Sequence, residues 1–405
     1  MNFADYFSDG NINGLVGQLL PLLDSDPVAR IIFLRIFHDK NYVFNLSESN
    51  VEAIGQTPCP EAYFAYGQIL AIRNSGRDDM DLAHEYFRKA IDGNVPDALE
   101  AMALTYFFGD LGPLDWEKAR EYEERAVRAG SEYGLLKMTY NMATGSYGYE
   151  KDPRGALKLL GTWRKSMEEH GLPLHPHYYL NIAITDEALG LVFAQEDHFQ
   201  NAAEAGCSRA FVELYLRNKK DFRSYLETGI QRNIGDCLYL AACELTGPDR
   251  ITMLERAFAS GSSLAAISLG TAFYLGHSLV EKDLEKALYY FKAAASRGDY
   301  LGFEAMIYMY DTNDMVCEEE DAEMLVLFGA RKLSPALMSI SIELLKEGSL
   351  LQHKDEIETY FAPLVKAAKE NGEDTSLLHR DDFFSNFDEA EEDLPDDDGR
   401  FDAWA

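Results

Sequence analysis

Apolar and small residues recur at intervals of three and four along much of this 405-residue chain, most clearly between Ala265 and Asp299. Ala287, Tyr290, Phe291, Ala294 and Ala295 make one stripe, which predicts an amphipathic helix. Asp283 stands where a short carboxylate can accept the unsatisfied backbone N–H groups that open that helix, and Gly298 where left-handed backbone can close it. Ala265, Leu269, Gly270 and Phe273 predict an earlier helix, broken at Gly276. The stretch reads as two helices joined by a turn. Gly270, lacking a side chain, allows its neighbour to approach the backbone closely.

The pattern returns elsewhere. DLEKALYYFKAAASRG aligns with DWEKAREYEERAVRAG (115–130), with Asp283, Lys286, Ala287, Tyr290 and Gly298 matching Asp115, Lys118, Ala119, Tyr122 and Gly130. LAHEYFRKAIDGN (82–94) is a third copy, and weaker copies end at Gly206, Gly261 and Gly372. Closing positions at Asn94, Gly130, Gly171, Gly206, Gly235, Gly261, Gly298, Leu333 and Gly372 are 36, 41, 35, 29, 26, 37, 35 and 39 residues apart. Four places after most of them stands a small residue (Ala98, Gly134, Ala210, Ala265, Gly302), and eight places after an apolar one (Met102, Met138, Leu214, Leu269, Met306). A four-residue step puts both on one helical face.

These residues resemble the Sel1-like repeats, relatives of the tetratricopeptide repeats. The family pattern appears as Ala265, Leu269-Gly270, Phe273, Gly276, Asp283, Lys286-Ala287, Tyr290-Phe291, Ala294-Ala295 and Gly298. Residues 97–130 match through Met102-Ala103, Tyr106, Gly109, Asp115, Lys118-Ala119 and Ala126. The other units keep fragments, and the two short intervals lack the inter-helix loop usual in the family. The resemblance implies an all-α fold, an α/α superhelix: a right-handed solenoid of antiparallel helix pairs, each burying its apolar face on its neighbours. It implies a protein–protein interaction scaffold whose concave groove receives a peptide or protein, with no catalysis by the repeats.

Three regions are expected: a helical cap (1–60), the repeat solenoid (61–372) and an acidic, aromatic-containing, disordered tail (373–405). Residues 13–23 and 28–37 predict helices, the second opened by a cap in Ser25–Pro27 with proline in its first turn. A cap over the first unit is the simpler reading of this region, and a small recognition domain the other. From Asp381 to Ala405 there are 11 acidic residues against one Arg, interleaved with Phe383, Phe384, Phe387, Phe401 and Trp404. Such a tail serves solubility, or its aromatics anchor it to a basic partner or back on the solenoid.

A net charge of −32 disfavours nucleic acid and anionic membrane surfaces and favours a basic protein or peptide, while also serving solubility. Five irregularly spaced cysteines, Cys59, Cys207, Cys237, Cys243 and Cys317, make no disulfide framework and read as reduced, mostly buried thiols. The first residues lack the pattern of a secretory signal, and Ala257–Val280, although free of Asp, Glu, Lys and Arg, reads as two helix pieces around a turn rather than a membrane span. Cytoplasmic location is the expectation; the oligomeric state is open.

No phosphate-binding loop, nucleophile elbow or metal-binding motif is present, so no catalytic residue, cofactor or metal is expected. His175-Pro176-His177, with His170 nearby, lacks a third ligand and reads as helix-start punctuation. Cys237 and Cys243 read as small core residues, and Glu318–Asp321 as an exposed first helical turn. If the first helix of each pair lines the groove, the residues between its packing positions are candidate contacts: Tyr133, Lys137, Tyr140, Arg209, Glu213, Ser268, Thr271, Tyr274 and Tyr308. Tyrosine suits this role, with large area and a polar tip; several of the nine can equally be packing residues. The rival reading is an enzyme with its site in the N-terminal region or groove, favoured if His175 and His177 share a pocket with several carboxylates at displaced pKa. An acidic immunity- or inhibitor-type protein is a third.

Overall fold

The computed structural model describes residues 12–73, 77–110, 112–172, 174–276, 280–372 and 375. The secondary-structure elements among the described residues are all helices, with no strand. Two compact units divide the chain: unit 1 comprises residues 1–107 and 115–237, and unit 2 residues 108–114 and 238–405.

Unit 1 opens with α1 (Ile12–Leu19), a 3₁₀ turn (Leu20–Leu22), α2 (Pro27–Ile36), α3 (Lys40–Phe44) and α4 (Glu48–Gln56). Asp26 caps α2 by accepting from the Val28 and Ala29 amides, with Pro27 in the first turn, so the expected start signal operates. Helix pairs follow, an A helix and then a B helix in each. They are α5 (Pro60–Arg73) with α6 (Arg77–Asp92), α7 (Asp97–Phe108) with α8 (Trp116–Arg128), and α9 (Glu132–Thr144) with α10 (Pro153–Glu169). Then come α11 (Pro176–Ala188) with α12 (Val192–Glu204), α13 (Ser208–Arg217) with α14 (Arg223–Gln231), and α15 (Gly235–Cys243), in which unit 1 ends. Unit 2 continues with α16 (Gly247–Ala259), α17 (Ser263–Leu275) with α18 (Leu284–Ser296), α19 (Tyr300–Asp311) with α20 (Glu319–Arg331), and α21 (Pro335–Glu347). The last B helix starts at Lys354–Glu356, passes through a π turn (Ile357–Phe361) and ends as α22 (Ala362–Glu370).

The B helices from α6 to α20 close in the same way. In α8, Gly130 takes φ 92°, its N–H bonds to Val127 O, and the Ser131 N–H bonds back to Ala126 O. This six-to-one return satisfies carbonyls that the helix end leaves open. It recurs at Asn94, Gly171, Gly206, Gly261, Gly298 and Leu333. One expected position moves: the closure placed at Gly235 lies at Asn233, with φ 53°, and its bonds run Asn233 N to Ile230 O and Ile234 N to Gly229 O. Asparagine tolerates the left-handed region, and Gly235 is instead the first residue of α15.

Close approach inside a pair depends on small residues. A Cβ added at Gly270 of α17 would lie 2.5 Å from the ring of Phe291 in α18, and the ring is fully buried. Gly67 meets Phe87 of the first pair in the same way, at 2.6 Å. The N-terminal helices join this packing. Leu15, Val16, Ile32, Phe33, Ile36 and Phe37 are continuous with Phe64, Ile69 and Phe87 in a single core, which buries apolar area that an isolated first pair would leave wet.

No helix among the described residues is long and apolar enough to cross a membrane. No disulfide joins the cysteines; Cys59, Cys207 and Cys237 are buried. Glu318–Asp321 form the exposed start of α20, as expected.

Candidate functional site

The polar residues of unit 1 converge where residues 35–45 cross the N-terminal ends of successive A helices. Arg35, at the end of α2, holds Glu132 of α9 bidentately: Nε and one terminal nitrogen each donate to a carboxylate oxygen at 2.8 Å. His38 stacks flat on Tyr133 of α9, centroids 4.3 Å apart, with its Nε2 3.6 Å from Asp97 at the start of α7. Its Nδ1 lies 3.2 Å from Nε2 of His175, whose own Nδ1 accepts the His177 amide and so caps α11.

Asp39 and Asn41 reach the next two A helices. Asp39 accepts the Ser208 backbone N–H at 3.2 Å and the Ser208 hydroxyl at 2.7 Å, opening α13. Asn41 accepts the Gly235 N–H at 3.1 Å, opening α15, and donates to the Ser208 hydroxyl at 2.8 Å. Neither helix supplies this cap itself. Cys207 makes no capping bond, and Ile234 has no polar side-chain atom. The segment also reads the closing carbonyls of the preceding B helices, since the Tyr42 hydroxyl donates to Gly206 O and Asn45 donates to Asn233 O. Its own free carbonyls are met from α5: Gln68 donates to Phe37 O, and Arg73 to Val43 O and Leu46 O, a cation at a helix C-terminus.

Burial shifts protonation here. It holds His175 well below the ordinary imidazole range, with the charges of His177, Arg35 and His38 adding to it. It lowers His177 to about 4. Burial alone would raise Asp97, but bonds from His38 and Ser131 outweigh it and keep its carboxylate ionised below the usual range. Beside these residues, α7, α8 and α9 bring Glu100, Glu123 and Lys137 together. Burial, then the neighbouring Glu123, pushes Glu100 well up, and no hydrogen-bond donor reaches either of its oxygens among the described residues. Burial raises Glu123 to about 7 although Tyr149 and Asn141 donate to it, and lowers Lys137 to about 8.

The candidate contacts read from the sequence fall into two sets. In unit 1, Tyr133 is half-buried under His38, and the Lys137 ammonium lies 5.5 Å from the Tyr133 centroid. Tyr140 is buried with the Arg209 guanidinium 5.9 Å from its ring, and Arg209 pairs with Glu213 at 3.1 Å. These five adjoin the face that residues 35–45 occupy. In unit 2, Ser268 is half-buried and Thr271 buried. Tyr274 is buried, its hydroxyl donating to Asp314 at 2.7 Å, and its ring meets the half-buried Tyr308 edge-on. The tail anchors Phe383, Phe384, Phe387, Phe401 and Trp404 lie outside the described residues.

Arg35, His38, Asp39, Asn41, Tyr42 and Ser208 are site residues that the repeat pattern did not mark. The sequence held two signals: the polar run His38-Asp39-Lys40-Asn41 between apolar stretches, and cap positions holding Cys207 and Ile234 where other units have Ser131, Ser262, Asp299 and Ser334. Among the described residues no three His, Cys, Asp or Glu side chains are grouped to hold a metal ion.

A family model described as Sel1 repeat matches residues 60–95, 96–131 and 263–299. The chain carries Sel1 repeats. Two of the matched Sel1 units are the pairs α5/α6 and α7/α8, which follow the four N-terminal helices, and the third is α17/α18 in unit 2. Sel1 repeats are typical of protein–protein interaction scaffolds. Among solved structures, the chain is similar to a Sel1 repeat protein from Oxalobacter formigenes, at 18% identity over 76% of this chain and 94% of that one, with a TM-score of 0.36. It is also similar to c5321, a protective antigen of uropathogenic Escherichia coli strains displaying an SLR fold. That match has 16% identity, covers 91% of this chain and 88% of that one, and has a TM-score of 0.32. No match was found among curated proteins.

Proposed function

We propose that this chain is a non-enzymatic scaffold that holds a protein or peptide partner on the A-helix faces of its repeats. One observation supports the reading most: in unit 1 such a face holds eleven residues of peptide, 35–45, through side-chain caps, one bidentate ion pair and a stacked ring. A face that can seat one peptide has the chemistry to seat another. Ser268, Thr271, Tyr274 and Tyr308 are the proposed partner contacts in unit 2. A net charge of −32 favours a basic partner in the cytoplasm, approached by electrostatic steering. In this reading residues 1–60 cap the array, 61–372 form it, and 373–405 are an acidic tail.

The test is retention of a partner from native cytosol by the full chain at low and at high salt. The scaffold reading expects a stoichiometric partner that high salt releases, with retention falling at least tenfold in Ser268→Arg/Tyr308→Ala. A chain that retains nothing stoichiometric, or a variant that retains as much as the parent, refutes it.

The meeting of His38, His175 and His177 with Asp39 and Asp97 favours a second reading, acid–base catalysis. Several of their polar atoms are already spent on structure: His175 caps α11 and bonds to His38, Asp39 caps α13, and Asp97 accepts from Ser131. His175 is 2% exposed and Asp97 6%. A substrate would first have to remove residues 35–45.

A further inference from the structure

We infer that Glu100 and Glu123, where α7, α8 and α9 meet, form a receptor for an alkylammonium group, a primary amine in its charged form. This goes beyond the scaffold reading and does not rest on it.

The two carboxylates stand where other repeats of this chain put apolar core. Glu123 follows Tyr122 as Phe87 follows Tyr86 and Phe291 follows Tyr290, so the alignment that matches these tyrosines sets a carboxylate in the place of a phenyl ring. Glu100 stands six places after the closure at Asn94, as Leu136 and Ile267 stand six places after Gly130 and Gly261. All six residues are at most 2% exposed. Trading core for buried carboxylates costs stability unless donors meet them, and a local break in an otherwise repeated packing rule marks a place where function is expected.

Donors reach Glu123 but not its neighbour. Asn141 donates to Glu123 at 3.3 Å and the Tyr149 hydroxyl donates to its other oxygen. No donor, the Lys137 ammonium included, reaches either oxygen of Glu100 among the described residues. A carboxylate at the same place in another unit is served: Glu304, six places after Gly298, accepts the Ser334 hydroxyl at 2.6 Å. The corresponding Ser131 gives its proton to Asp97 instead. Lys137 lies beside the pair, but its ammonium is 5.5 Å from the centroid of the Tyr133 ring, and the charge of Arg209 opposes it.

An alkylammonium supplies what these residues lack, a positive charge and three N–H donors, enough for both oxygens of Glu100 and one of Glu123. No third carboxylate, imidazole or thiol joins the pair to hold a metal ion among the described residues. The pair nears the surface at two half-buried side chains, Lys137 and Tyr149. The Tyr149 turn is fastened from outside by Arg120, which donates to the carbonyl of the exposed Gly148 at 2.9 Å. Entry therefore displaces side chains and one turn rather than a helix.

Isothermal titration calorimetry of the full chain at pH 7.5 with n-butylammonium tests the site. Tetramethylammonium at equal ionic strength, which has the charge but no N–H, controls for general attraction to a chain of net charge −32. The parent should bind n-butylammonium saturably and at least tenfold more tightly than tetramethylammonium. Glu100→Gln should weaken that binding at least tenfold, and Glu124→Gln, at an exposed neighbour, should leave it unchanged. Nα-acetyl-lysine methylamide separates the sources of the group: binding within tenfold of n-butylammonium assigns the site to a partner's lysine, and binding of n-butylammonium alone assigns it to a free amine. Equal binding of the two small cations, or Glu100→Gln binding as the parent does, means that Glu100 holds a proton only and overturns the proposal, leaving the partner test on Ser268 and Tyr308 standing. If Glu100→Gln does not fold, the parent's thermal midpoint decides: it should rise with n-butylammonium and not with tetramethylammonium, and an equal response to both overturns the proposal.

Discussion

Removing either partner of the Arg35–Glu132 pair should destabilise the protein unequally, and the order is set by burial. The Arg35 side chain is 1% exposed and Glu132 16%. In Glu132→Ala the guanidinium keeps its site but loses the carboxylate holding two of its donors at 2.8 Å. Stranding a buried charge in this way costs about 3–5 kcal/mol. In Arg35→Met an apolar side chain of similar length replaces the charge, and the remaining carboxylate reaches water with little movement. The cost is then that of charge-assisted hydrogen bonds partly regained from solvent, about 1–2 kcal/mol. The double variant should cost at least about 1 kcal/mol less than the sum of the singles, because the residues touch. Urea unfolding at pH 7.5 and low salt, followed by far-UV circular dichroism, reads all three. If Arg35→Met costs as much as Glu132→Ala, or the two add within about 0.5 kcal/mol, residues 35–45 are not held by this pair as argued.

Three further outcomes concern other residues. His177 titrates near 4 in the fold against an ordinary 6.5, so its contribution is complete above pH 6.5 and is lost as pH falls towards 4; the stability difference between the parent and His177→Asn should shrink across that window in urea titrations. Glu100 has a raised pKa, so its protonated form favours folding below about 4.5 and that advantage drains away as pH rises; Glu100→Gln should therefore gain on the parent between pH 5 and pH 8, and a flat difference refutes the burial argument. Gly302→Ala places a Cβ 2.5 Å from Ala295 N and 2.6 Å from Phe291 O. Backbone atoms cannot step aside, so a loss of about 2–3 kcal/mol is expected, read as a lower thermal midpoint.

The helix pairs were legible in the sequence because each one is a local problem. Asp283 caps α18 by accepting the Lys286 amide, Gly298 closes it, and Gly270 makes room for Phe291, all within 29 residues. Periodicity, caps and left-handed closures carry such information directly. Where a unit departs from the pattern, sequence spacing points to Gly235 for a closure that Asn233 makes, because both residues tolerate left-handed backbone and spacing alone does not rank them. Candidate contacts such as Tyr133 and Arg209 were found by their place on the A helices, yet what lies on them was not.

That occupant is the part only tertiary structure decided. His38-Asp39-Lys40-Asn41 is a short polar run whose partners Asp97, His175, Ser208 and Gly235 lie 59 to 194 residues further along the chain. Such pairings leave no periodic trace, because they arise only once stacked repeats have brought successive helix starts onto one face. The amino-acid pattern by itself determined how each hairpin opens, turns and closes. Which segment lies across those hairpins depended on unsatisfied backbone donors at α13 and α15 finding acceptors elsewhere in the fold, a condition that exists only after the array has formed.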